Sequence, residues 1–109
     1  MEKRTFNTVD ERLDFLDFRQ QLLFDNDDVS RILFEYQITK QEYTEIMNLM
    51  EKMRERIIDK QTVSHSAFEQ RICAIVPSCK GDYHFCKFIA KAFMDEGRWE
   101  EVFPALYVD

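Results

Sequence analysis

Apolar positions recur at spacings of three and four along nearly the whole chain, so the pattern is helical from end to end. Thr8 followed by Glu11 has the form of a capping box. Beyond it, Val9, Leu13, Leu16 and Leu23 share one face, which predicts a first helix over Val9–Phe24. That helix carries a second stripe. At about 100° per residue, Phe15, Phe18 and Leu22 cluster roughly opposite the first stripe, with Asp14 and Asp17 beside them. A helix apolar on two sides is sandwiched between layers. Here the second layer comes either from flanking helices or from another subunit.

The segment "DNDDVSRILFEYQ" opens with acids, as a helix start does, and continues with Val29, Ile32, Leu33 and Tyr36 on one side. A calcium loop beginning at Asp25 needs Gly at its sixth position and Glu at its twelfth. Ser30 and Tyr36 stand there, so the acids are read as capping chemistry. Thr39 and Glu42 form a second capping box, and the strongest periodicity of the chain follows. Tyr43, Ile46, Met47, Met50, Met53 and Ile57 oppose Glu45, Asn48, Lys52, Glu55 and Asp59, which predicts the longest helix over about Thr39–Lys60. Ser64 or Ser66 caps a fourth helix bearing Phe68, Ile72, Ile75 and Val76, ended by Pro77. A fifth runs from about Asp82 to Glu96, with Gly97 as its left-handed C′ residue. A short last helix, disturbed at Pro104, docks Trp99, Phe103, Leu106 and Tyr107. The fold class expected is an all-α bundle of five or six helices, an extended or disordered start over 1–7 and one domain over 8–109.

Composition agrees with this reading. Two glycines and two prolines in 109 residues are too few for a turn-rich β fold, and fifteen aromatic residues supply ample surface to bury. The net charge of −6 disfavours attraction to nucleic acid or anionic lipid. No apolar run of membrane-spanning length and no signal-like start occurs, so a soluble, cytoplasmic protein is expected. Three cysteines suggest reduced thiols rather than a disulfide framework.

"SCKGDYHFC" (Ser78 to Cys86) invites a zinc reading. Cys79-x₄-His84-x-Cys86 has no zinc-ligand spacing. On a helix, His84 and Cys86 point roughly 160° apart, so they cannot share one ion. His84 falls on the polar face with Lys87, Lys91 and Asp95, and Cys86 on the apolar face with Ile89, Ala90 and Phe93. The stretch is read as a hinge between helices, with no metal and no cofactor. No phosphate loop, nucleophile elbow or zinc-protease motif appears, so an enzyme is not expected.

"ERLDF" (Glu11 to Phe15), "FEYQITKQEYTEIM" (Phe34 to Met47), "TVSHSAFEQ" (Thr62 to Gln70) and "DEGRWEEV" (Asp95 to Val102) resemble segments of the YhaI-like family of small helical proteins of Bacillus and its phages. The resemblance implies a helical fold and self-association, and carries no catalytic residue across. It also suggests a phage-type accessory role.

The functional expectation is a non-enzymatic protein-interaction module, an inhibitor or modulator of a basic partner such as a nuclease toxin. The residues singled out for a partner or homodimer interface are Asp14, Phe15, Asp17, Phe18 and Leu22. The alternative is a DNA-binding regulator of helix-turn-helix type, for which Lys87 with Lys91, or Arg54 with Arg56, are the candidate contacts.

Overall fold

The computed structural model describes residues 4–107. Among them are six α-helices and no strand: α1 (Val9–Asp25), α2 (Asp28–Glu35), α3 (Lys40–Ile58), α4 (His65–Ile75), α5 (Tyr83–Asp95) and α6 (Val102–Tyr107), with a single 3₁₀ turn, Pro77–Cys79, between α4 and α5. The expected all-α bundle is what forms, and α3 is its longest element.

The helix starts are set by local side-chain chemistry. Thr8, Asp27, Thr39 and Ser64 each accept a hydrogen bond from the N–H three residues on, at 3.0, 2.7, 3.1 and 3.2 Å. Such caps contribute about 1 kcal/mol each. At Thr39 the box is complete, because Glu42 returns a carboxylate to the Thr39 N–H at 2.9 Å. At Thr8 only half of it forms, and Glu11 reaches the Asn7 N–H instead, at 3.3 Å.

Three helix ends close alike. After α5, the Gly97 N–H donates to the Met94 carbonyl and the Arg98 N–H to that of Phe93, the paired bonds of a Schellman motif. The same pair of bonds ends α2 around Gln37 and α3 around Lys60, both in the left-handed region without being glycine. The predicted disturbance at Pro104 does not develop. Proline sits in the first turn of α6, where its missing N–H has no intrahelical partner to lose.

Phe68, Phe85, Phe93, Ile38, Ile46, Met50, Ile72 and Ile89 are fully buried where α2 to α6 converge. The predicted stripes of α2 to α5 supply most of this core, joined by Leu49, Phe85 and Val102, which the periodicity alone did not single out. Helix α1 departs from expectation. Its main packing partner is α2, and it docks on the core through Phe18 and Leu22, while Phe15 on the same side meets Phe6. The stripe that opens the helix faces outward: Val9 is 72% exposed, Leu13 52%, Leu16 49% and Leu23 61%. The aromatic face has more area to bury. It is also held by Arg19, whose guanidinium lies 3.7 Å from the Phe34 ring centre and donates to the Phe34 carbonyl at 2.9 Å. The two-sided sandwich therefore has only one layer within the described residues. The Cα radius of gyration, 14.3 Å, exceeds the roughly 13 Å typical of this length, consistent with α1 standing away from α3.

Candidate partner-binding groove

Between α1 and the N-terminal half of α3 runs an open groove of about 1550 Å³. Its floor is apolar and aromatic. Phe18 and Leu22 come from α1, Tyr43 and Met47 from α3, and the Phe18 and Tyr43 rings lie 6.2 Å apart. Behind Tyr43 its ring stacks on buried Phe93 at 6.4 Å, which fixes the floor to the core.

Arginines close both ends. Arg4 donates to Glu42 at 2.9 Å and to the Gln37 carbonyl at 3.2 Å, tying the segment before α1 onto α3. Above it, Phe6 lies 4.9 Å from Phe15. At the other end Arg98 donates to the Tyr43 hydroxyl and to Glu96, both at 3.2 Å, and lies over the Phe93 ring. Glu96 in turn accepts from the Val29 N–H at 2.9 Å, so a residue after α5 caps α2 from a distance. Asp27 stands beside it. Burial pushes its carboxyl up, but hydrogen bonds from Ser30 and the charge of Arg98 work against that, and it stands below the usual carboxylate range.

Charge distinguishes this surface from the rest. Eight carboxylates line the groove against three basic side chains, Arg4, Lys40 and Arg98. Two of the three are already paired, with Glu42 and Glu96. Asp14 and Asp17 stand exposed on the α1 rim.

All five residues singled out in the sequence line this groove, but not in equal positions. Leu22 is buried in the core, Phe15 and Phe18 are half-buried, and Asp14 and Asp17 are free at the edge. Sequence reasoning missed Arg4, Asp27, Glu96 and Arg98. Arg4, Asp27 and the Glu96–Arg98 pair lie far apart along the chain, and no local pattern links them.

"SCKGDYHFC" folds as the expected hinge. His84 is exposed and Cys86 fully buried. Asp82 occupies the N-cap position of α5 without making a side-chain cap, and its charge adds to burial in pushing the Tyr36 phenol up. Cys73 Sγ lies 3.7 Å from the Cys79 carbonyl. Burial, with nearby Asp82, pushes the Cys79 thiol up to about 11, and burial pushes Cys86 further. A nucleophilic or metal-binding cysteine needs the opposite shift. Among the described residues no three His, Cys, Asp or Glu side chains are grouped to hold a metal ion, and no helix is long and apolar enough to cross a membrane.

The candidate DNA contacts are partly neutralised, since Arg54 pairs with Glu101 at 2.9 Å and Lys91 with Asp95 at 3.2 Å. No family model matches the chain, and neither a curated protein nor a solved structure matches it.

Proposed function

We propose that the protein is a non-enzymatic interaction module whose groove between α1 and α3 seats a basic segment of a protein partner. The observation that carries this reading is an apolar aromatic floor flanked by an excess of carboxylates. A segment with apolar anchors on one side and Lys or Arg on the other matches both features, as an amphipathic helix does when it lies in a groove. The volume is larger than the roughly 300–1,000 Å³ of small-molecule sites, which favours a polypeptide occupant. The net charge of −6 would raise the association rate with a cationic partner and repel nucleic acid. Basic partners of this kind include nucleic-acid-acting proteins such as nuclease toxins, whose cationic substrate surface an acidic protein can cover. The protein then acts as their inhibitor or modulator in the cytoplasm. We also take the chain as a YhaI-like protein on its four similar segments, of which "ERLDF" contributes Asp14 and Phe15 to the groove.

The test compares affinity capture from the native host's lysate by the wild-type chain and by Asp14→Lys with Asp17→Lys. One stoichiometric basic protein, held by the wild type, released by salt and lost from the variant, supports the reading. Equal capture by both forms, or salt-sensitive binding of duplex DNA in its place, contradicts it.

A further inference from the structure

We propose that the outward face of α1 is the seam of a parallel two-helix coiled coil formed with α1 of a second copy of this chain. Val9, Leu13, Leu16, Gln20 and Leu23 recur at spacings of four, three, four and three, the heptad pattern of such a seam. Leu13 and Gln20 take a positions, and Val9, Leu16 and Leu23 take d positions. The four apolar members are about half exposed or more, and Gln20 is exposed beside them. Phe15, Phe18 and Leu22 occupy the opposite side, so a second α1 can approach without meeting α2.

The flanking charges select the occupant and its direction. Arg12 and Arg19 lie along one edge of the seam, Asp10 and Asp17 along the other. In a parallel pair the basic edge of each helix faces the acidic edge of its mate, and Arg12 falls opposite the mate's Asp17 in the usual g-to-e register. A twofold axis makes this contact twice. In an antiparallel pair, like edges would meet, arginine against arginine and aspartate against aspartate. Arg19 is folded over Phe34, so exposed Arg12 is the cation that decides. Gln20 adds a second preference. A polar side chain at one a position bonds to its own copy only when the helices are parallel and in register.

The α1 helix spans about 25 Å, and its seam falls short of the roughly 800 Å² per partner of a standard interface. Because the helix is already formed, association bears no nucleation cost. The dimer should dissociate at about 1–100 µM. None of Val9, Leu13, Leu16, Gln20 and Leu23 lines the groove; Asp17 alone borders both surfaces, so substitutions at Leu13 and Leu16 test the seam apart from the groove's function.

Sedimentation equilibrium over a micromolar concentration series tests it. A monomer–dimer equilibrium is expected, with Leu13→Asp plus Leu16→Asp raising the dissociation constant at least about a hundredfold while the circular dichroism stays helical. Direction is read from oxidative cross-linking with half-buried Cys73 replaced by serine. Leu23→Cys should cross-link to itself, because in an antiparallel pair, whose a positions layer against d positions, it would lie about 15 Å or more along the helix from its copy. A wild-type chain that stays monomeric, a dimer that survives the double substitution, or cross-linking of Leu23→Cys chains to Leu13→Cys chains but not to themselves would each overturn the seam.

Discussion

Lys60 ends α3 at φ 60°, a conformation that disfavours any residue with a Cβ. Lys60→Gly should therefore stabilise the protein by about 1 kcal/mol, read as a higher urea midpoint with unchanged slope. Gly97→Ala is the converse. At φ 77° the new Cβ would meet only Glu100 Oε1 at an ordinary 3.5 Å, so the loss of about 1–2 kcal/mol is conformational. Equal midpoints for either variant would remove the strain argument. Arg4→Ala leaves Glu42 buried without its cation and should cost about 1–3 kcal/mol, whereas a change within a few tenths would mean the Arg4–Glu42 pair contributes little. At this scale the sequence was readable where partners are three or four residues apart, as at Thr39 and Glu42. It was silent for Arg4 and Glu42, 38 residues apart, because nothing local marks a long-range partner.

Elements differ in how firmly they are held. Helix α5 buries Phe85, Cys86, Ile89, Ala90 and Phe93 completely, whereas α1 buries only Leu22. Amide exchange in α1 should accordingly be faster than in α3 and α5 at low protein concentration. Protection of α1 equal to that of α5 in the monomer would contradict this hierarchy. The helices themselves were legible from periodicity and caps. Which face of α1 is covered was not, because two stripes of similar strength compete and periodicity identifies faces without ranking them. Aromatic area and the Arg19–Phe34 contact decide in favour of Phe15, Phe18 and Leu22. Both contributions depend on where α2 lies.

For the whole molecule, buried thiols and half-buried phenols of raised pKa set the alkaline limit. Cys79 is raised from 9.0 to about 11, and Cys86, Tyr36 and Tyr107 are raised as well. Groups raised on folding contribute stability that is complete below their unfolded values and declines as pH rises through the folded ones. Stability should thus fall from about pH 9 upward, and Cys86→Ala should flatten that limb of the urea midpoint against pH. Constant midpoints from pH 8 to 11 would contradict the burial of these groups. Asp27 acts oppositely: its lowered carboxyl supports folding above its ordinary value of 3.8 and loses that support as pH falls below it. Asp27→Asn should lessen the acid sensitivity.

At this largest scale the groove was only partly legible. Asp14, Phe15, Asp17, Phe18 and Leu22 formed a pattern on one helix, but the opposite wall and both arginine ends come together only through the packing of α1, α3 and the turn after α5. The most direct test of the groove is nuclear magnetic resonance titration of the isotope-labelled chain with a lysine-rich amphipathic helical peptide. The account predicts saturable shifts concentrated at Asp14, Asp17, Leu22, Tyr43 and Met47, weakened by salt and abolished by Asp14→Lys with Asp17→Lys. Shifts spread evenly over all surface carboxylates, or none at the groove, would contradict it.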